Sequence, residues 1–172
     1  MASLYLIRHD EPQMTGVLLG QVDSPLSSAG REHAAHALRE IHVPVAWTSP
    51  LRRARETAAL LNATRVVELA GLREIDQGEW SGRSWAEIEQ HWPVLARRKL
   101  DDWAGVASPG GEAWTSFVER VREAWKTIRE GPPDSAVVAH LGVNAALACL
   151  IDGRDPLKFT QGYGEVIRVA YD

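Results

Sequence analysis

Two histidines stand where apolar, β-type runs end. Leu4-Tyr5-Leu6-Ile7 leads into Arg8-His9-Asp10-Glu11-Pro12, and Ala136-Val137-Val138-Ala139 leads into His140-Leu141-Gly142. In an open α/β sheet, ligands gather outside the carboxyl ends of the strands, so residues far apart in sequence can meet in one crevice. An Arg-His pair at one strand end, facing a second His at another, suits attack on a phosphate. Arginine supplies planar bidentate contacts to phosphoryl oxygens, and a neutral imidazole supplies a nucleophilic nitrogen.

Two further segments fit the same chemistry. Thr48-Ser49-Pro50-Leu51-Arg52-Arg53-Ala54-Arg55 takes a strand end into a helix start, the electropositive end where anions bind readily. Leu51, Ala54, Ala58 and Leu61 give that helix its core face; periodicity does not decide which of Arg52, Arg53 and Arg55 faces a ligand, and a solvated basic face accounts for at least one. Leu72-Arg73-Glu74-Ile75-Asp76-Gln77-Gly78-Glu79-Trp80-Ser81-Gly82 places carboxylates in a Gly-containing loop. A carboxyl group there could protonate a leaving alkoxide; the bland alternative is a polar turn in which Asp76 caps backbone amides.

The elements that must position these residues follow from short β-type runs alternating with longer helical ones, which predicts α/β with a largely parallel sheet flanked by helices in three layers. Strands are expected at 4–8, 45–48, 65–68, 135–139 and 166–171. Helices are expected at 28–40, at 50–61 with Ser49 as cap and Pro50 first, at 84–100, from 114 to the Gly131-Pro132-Pro133 stop, and from 141 to 151. The stretch 101–111 reads as a loop near a pocket. Seven tryptophans could in part line a cavity, but helical spacing at Trp85/Ile88/Trp92 and Trp114/Phe117/Trp125 favours core packing.

The 172 residues fit one domain, and a formal net charge of −4 argues against nucleic acid and acidic membranes as partners. Any anion site is then a local basic pocket. The single Cys149 excludes an internal disulfide and reads as a buried thiol in a reducing compartment. The N-terminal apolar run is too short for a signal-peptide core, and cytoplasmic location is expected.

Together, the four segments resemble the histidine phosphatase superfamily, the phosphoglycerate-mutase-like family, from residue 4 to about residue 150. An apolar strand ending in Arg-His-Gly-Glu is matched by Leu6-Ile7-Arg8-His9-Asp10-Glu11, and Ser-x-Leu-x-Arg-Ala by Ser49-Pro50-Leu51-Arg52-Arg53-Ala54. The 72–82 loop follows the family's acid-loop pattern, Ala139-His140 with Gly142 its second-histidine motif, and residues 20–30 a stretch bordering the substrate. The resemblance implies His9 as nucleophile, Glu74 as proton donor, and Arg8, Arg53 and His140 as the phosphate clamp. Leu141, Thr15, Gly20 and Gln21 are implied beside the substrate. No cofactor and no metal are implied, and the partner is a small phosphorylated metabolite. A homodimer is compatible with the sequence, which does not fix the oligomeric state.

Three positions depart from that pattern. Asp10 replaces a glycine directly after the nucleophile, where a carboxylate could repel a substrate dianion, shift the backbone, be held protonated or point away into a hydrogen bond. Leu141 replaces a small residue, and Thr15 stands where many members have Asn.

Four readings compete with a small-molecule phosphatase. His9-Asp10 could belong to a metal-dependent HD phosphohydrolase with His33 and His36 as further ligands. That pair sits on a helix in such enzymes, whereas 4–7 reads as a strand, and His33 and His36 read as solvated on a surface helix. The others are a mutase, disfavoured by the short chain, a phosphate-binding module silenced by Asp10, and a phosphatase of protein phosphohistidine. The short length, the 72–82 loop and Ser108-Pro109-Gly110-Gly111-Glu112 most resemble α-ribazole phosphatases and broad-specificity relatives.

Overall fold

The computed structural model describes residues 2–172. Its helices are α1 (Ser28–Leu38), α2 (Arg52–Ala58), α3 (Trp85–His91), α4 (Pro93–Asp101), α5 (Trp114–Arg129) and α6 (Leu141–Asp152). The strands β1 (Ala2–Arg8), β2 (His42–Thr48), β3 (Asn62–Glu68), β4 (Ser135–Ala139) and β5 (Val166–Tyr171) form one sheet in the order β3-β2-β4-β1-β5. All neighbours are parallel except β5, which closes one edge antiparallel to β1. All five expected strands form, three of them longer at the start than the apolar runs suggest.

The parallel centre follows from composition. β4 is Ser-Ala-Val-Val-Ala and is buried at every position, as a strand covered on both faces must be. On one face Ile7, Ala34, Leu38, Ala58 and Val138 pack together beneath α1 and α2. On the other, Leu4, Leu6, Phe117, Val121, Ile128, Val137 and Leu147 pack beneath α5 and α6. A satellite core of Trp80, Ile88 and Ala96, with Trp85 and Trp92 against it, anchors α3 and α4.

Register does the positioning. Arg8 pairs with Ala139 and Thr48 with Val138, so His9, Ser49 and His140 each follow the last paired residue of their strands. Three side chains from three segments therefore leave the same sheet edge side by side.

Two predicted helices differ from what forms. The 84–100 run is two helices, because Pro93 has no N–H to donate and forces Trp92 out of helical geometry (φ −130°, ψ 56°). Pro93 then begins α4, and Ser84 with Glu87 forms a reciprocal capping box at the start of α3. The 50–61 run is helical only over Arg52–Ala58, with Leu51 rather than Ser49 at its N-cap. Ser49 is drawn off: its Oγ accepts the Leu51 N–H two residues on and also meets His140. The end tightens through Leu60 N–H to Thr57 C=O and Leu61 N–H to Ala58 C=O as the chain turns into β3. Cys149 is half-buried rather than buried, without a disulfide partner. No helix among the described residues is long and apolar enough to cross a membrane.

Candidate active site

At the carboxyl ends of β1, β2 and β4 lies a cavity of about 610 Å³, within the range of small-ligand pockets. Arg8, His9, Arg53 and Glu74 line one end of it. His9 is 5% exposed. Its Nδ1 lies 2.7 Å from the Asp10 carbonyl, and its Nε2 lies 3.3 Å from Arg53 Nε. A carbonyl only accepts and a guanidinium only donates. Nδ1 therefore carries the proton and Nε2 keeps a lone pair. Burial, reinforced by the Arg53 and Arg8 cations, pushes the imidazole down to about 3 despite the Asp10 carbonyl bond. A neutral, oriented imidazole nitrogen at neutral pH is the state that nucleophilic attack requires.

Among the three candidate arginines, Arg53 is the one in the site. It is buried, and its guanidinium donates to the Val22 carbonyl at 2.7 Å and the Gly20 carbonyl at 2.8 Å besides His9. Burial lowers its pKa from the ordinary value, with Glu74 and Asp23 acting in the other direction; a guanidinium stays charged at pH 7 all the same. Arg52 and Arg55 point elsewhere, to Glu56 and Glu68. Arg8 donates through Nη1 to the Gln161 carbonyl at 2.6 Å and lies 4.2 Å from the Tyr163 ring centroid.

His140 is fully buried as the N-cap of α6, its ring centroid 5.2 Å from that of His9. Ser49 Oγ lies 2.8 Å from Nε2 and accepts the Leu51 N–H; its own hydrogen has no other acceptor among the described residues, so it is donated to Nε2. Nδ1 then bears a proton, and that buried nitrogen has no partner; Arg8 Nε is buried and unpartnered as well. Arg8 lines the cavity, whereas His140 is not itself on its wall, although its neighbours Leu141 and Gly142 are. Two donors left unpaired close to His9 suit anionic oxygens, since buried N–H groups are otherwise nearly always paired. Burial, then the neighbouring His9, hold the His140 pKa well below its ordinary value.

Glu74 accepts the Ile75 N–H at 3.0 Å and the Gly142 N–H at 3.2 Å. Burial raises its pKa, against those two hydrogen bonds and the Arg53 and Arg8 charges. The carboxyl group can thus carry a proton to a leaving oxygen. Gly142 is required by close approach: a Cβ there would come within 2.5 Å of Glu74 Oε1. This gives the His-x-Gly spacing a physical reason.

Asp10 takes the last of the four courses open to it. Its Oδ1 accepts the Glu11 N–H at 2.7 Å and its Oδ2 meets His33 Nδ1 at 2.6 Å, behind the cavity wall. Gly164 passes so close, at φ +68°, that a Cβ there would strike Asp10 Oδ2. His33 is therefore not simply solvated, as a surface-helix reading has it, but paired to Asp10. Among the described residues no group of three or more His, Cys, Asp and Glu side chains is placed to hold a metal ion.

The remaining predicted residues divide. Gly20 and Leu141 line the cavity. Gln21 stands back from it and donates to the Glu74 carbonyl at 3.1 Å. Thr15 is solvent-exposed and absent from the wall, which Val17, Leu18 and Leu19 supply instead. Trp47, Trp80 and Trp125 are core residues; Trp114 faces the cavity, contrary to a core assignment for its stripe, and Trp103 lines it from the 101–111 stretch, expected near a pocket. Tyr163 and Gln161 emerge only from the fold; neither belongs to a local pattern. Lys99 belongs to no catalytic motif, although the sequence does carry a signal for it. It falls on the stripe Trp85, Ile88, Trp92, Ala96, Lys99, where a charge is out of place.

Known proteins resemble this chain in sequence and fold. Phosphoserine phosphatase 1 of Hydrogenobacter thermophilus is 31% identical over 169 residues, covering 92% of this chain and 80% of its own. The α-ribazole phosphatase of Shigella flexneri aligns with a TM-score of 0.88 at 25% identity, over 99% of this chain and 91% of that one. A mycobacterial glucosyl-3-phosphoglycerate phosphatase aligns with a TM-score of 0.84 at 25% identity, over 97% of this chain and 89% of that one. The sequence profile of the histidine phosphatase superfamily, branch 1, matches residues 4–172. The chain belongs to the histidine phosphatase superfamily.

Proposed function

We propose that the protein hydrolyses a small phosphate monoester through a phosphohistidine on His9. The observation that carries this reading is the neutral His9, with its Nε2 lone pair free of a proton, beside the orphaned donors Arg8 Nε and His140 Nδ1. Nε2 attacks phosphorus as the bond to the ester oxygen breaks, and Glu74 gives that oxygen its proton. Glu74, now a carboxylate, takes a proton from water, whose oxygen attacks phosphorus while the bond to Nε2 breaks. Inorganic phosphate leaves, and His9 and Glu74 return to their starting states. Arg8, Arg53 and His140 meet the charge on the transferring oxygens, work that preorganised cations and N–H groups do well in a dry site.

Three kinds of relative carry names of phosphatases, of phosphoserine, α-ribazole phosphate and glucosyl-3-phosphoglycerate. That supports hydrolysis and leaves the alcohol half to this chain's own walls. Asp10, turned to His33 and Glu11, presents no carboxylate to the incoming dianion, which removes the reason to read the chain as a silenced binding module. The partner on this reading is a small phosphorylated metabolite, not nucleic acid or a membrane, in keeping with a net charge of −4. A cytoplasmic setting suits the single free thiol.

The test is phosphate release from p-nitrophenyl phosphate and a panel of metabolite monoesters, with excess chelator and a His9→Ala control. Chelator-resistant release that the control lacks is the expected result. Release that chelator stops, or that the control retains, contradicts it.

A further inference from the structure

Opposite the phosphate end the cavity changes character. Trp103, Trp114, Leu157 and Phe159 form its far wall, and among them stands one charged group, Lys99. Trp103 is 38% exposed and Leu157 57%, large apolar side chains that the rest of the protein leaves partly open to water. A small polyol phosphate leaves such a wall wet; an aryl or bulky apolar group covers it and gains by leaving water.

Lys99 is 5% exposed, and among the described residues it forms no ion pair with a carboxylate. Its Nζ donates to the Trp103 carbonyl at 2.5 Å and the Val106 carbonyl at 2.6 Å, and lies 4.7 Å from the Trp103 ring centroid. An ammonium has three N–H donors. Two are used by these carbonyls, and the third has no acceptor in the described chain. A buried cation hydrogen-bonded only to neutral groups is incompletely compensated; burial lowers the Lys99 pKa, with the Asp102 carboxylate, which makes no ion pair with it, acting in the other direction.

We infer that Lys99 is a specificity-determining residue that receives a second anionic group of the substrate, so that the substrate class is a phosphate monoester of an aryl or bulky apolar alcohol bearing a carboxylate. This rests on the hydrolase reading given above. The phosphate sits among Arg8, His9 and Arg53, the apolar body lies against Trp103 and Trp114, and the carboxylate takes the third Lys99 N–H. The two carbonyl bonds fix the ammonium in advance, so little side-chain freedom is lost when the anion arrives.

The decisive experiment compares kcat/KM for phenyl phosphate with that for 3- and 4-carboxyphenyl phosphate, in the wild type and in Lys99→Met. The better carboxylated ester is expected to exceed phenyl phosphate by roughly tenfold or more in the wild type, as a charge-assisted hydrogen bond allows. That preference is expected to collapse in Lys99→Met and to survive in Lys99→Arg. A general loss of turnover cancels in the ratio within each protein, and the esters' own reactivities cancel when the wild-type ratio is divided by the Lys99→Met ratio. No wild-type preference, or one that Lys99→Met retains, overturns the assignment and leaves Lys99 as an anchor for the loop after α4. Should Lys99→Met fail to fold by circular dichroism, competitive inhibition of the wild type by 4-carboxybenzylphosphonate and benzylphosphonate decides instead: tighter binding of the carboxylated inhibitor supports the assignment and equal binding overturns it. A wild type that hydrolyses none of these esters while releasing phosphate from other monoesters overturns the substrate class; one that releases phosphate from none of either set overturns the hydrolase reading, and the inhibitor pair still tests Lys99.

Discussion

The two ends of the cavity are built differently. At the phosphate end four of the five reactive side chains are tethered to main chain: His9 to the Asp10 carbonyl, Arg53 to the Gly20 and Val22 carbonyls, Arg8 to the Gln161 carbonyl, and Glu74 to the Ile75 and Gly142 amides. The fifth, His140, is held by the Ser49 hydroxyl. These groups leave strand ends and their immediate sequels, where the sheet's register fixes position. The far end is made of side chains from the end of α4, the loop after it, the start of α5 and the 156–159 stretch, with Lys99 the one charged fixture. A reaction common to a superfamily can be held by the sheet while its substrate changes with the loops. The phosphate end should therefore be sensitive to substitution for every substrate, and the far end only for some.

The largest expected effect breaks the first half of that contrast. His9→Ala should lower kcat by at least roughly 10³-fold on all monoesters alike, as removal of a nucleophile does in other covalent enzymes. Steady-state phosphate release on a mixed panel measures it, and a loss confined to some substrates would contradict it.

Glu74→Gln should cost about 10²-fold or more on alkyl esters such as phosphoserine, whose leaving oxygen needs a proton. The cost to the first step with p-nitrophenyl phosphate should be much smaller, because nitrophenolate leaves unaided. Glu74 must be protonated to act as acid, and burial raises its pKa. Alkyl-ester turnover should accordingly fall as pH rises through that raised value, a limb that Glu74→Gln lacks. A pH–rate profile on both substrates checks this.

At the far end, Trp103→Ala should lower kcat/KM by roughly tenfold for aryl esters, the order of what one aromatic packing partner supplies, and hardly at all for phosphoserine. An equal loss on both would erase the distinction between the two ends.

Stability should carry the mark of the buried imidazole. His9 stays neutral in the fold down to about 3, against 6.5 when exposed. Below about pH 6.5 the unfolded chain binds a proton there that the folded one does not, so stability falls as pH drops through that window, by at most about 1.4 kcal/mol per pH unit. Glu74, with its raised pKa, acts in the opposite sense above 4.5. Urea unfolding across this range should show a shallower acid loss in His9→Ala than in the wild type.

Asp10→Gly should have the smallest effect on catalysis. It removes the bonds to His33 and the Glu11 amide at a cost of about 1–3 kcal/mol in stability, and turnover should stay close to that of the wild type. A large gain in kcat would mean that the carboxylate does reach the phosphate end.

The contrast between the two ends is also a contrast in what sequence discloses. Arg8, His9, Arg53, Glu74 and His140 are legible because each follows an apolar strand or belongs to a short local pattern, and the parallel sheet brings strand ends together. Thr15 is not, because a loop's path depends on packing that no local pattern records. The break at Trp92-Pro93 is readable from proline chemistry alone. The splitting of the tryptophans is not, since helical spacing tells which side chains share a face and not whether that face meets a core or a cavity. His33 shows the same gap: spacing puts it on a surface helix, and only the docking of the start of α1 against Glu11, through Ser27, brings it to Asp10. Lys99 sits on a readable apolar stripe, where a charge signals an unusual burial.

The most direct test of the central claim is to mix Glu74→Gln with p-nitrophenyl phosphate, quench, and map the modified residue by peptide mass spectrometry under alkaline conditions that preserve phosphohistidine. The first step then proceeds without the acid, and the second stalls without the base. The account predicts one phosphoryl group on His9. Burst release of nitrophenolate with no phosphoryl group on the protein, or a phosphoryl group on His140 instead, would contradict it.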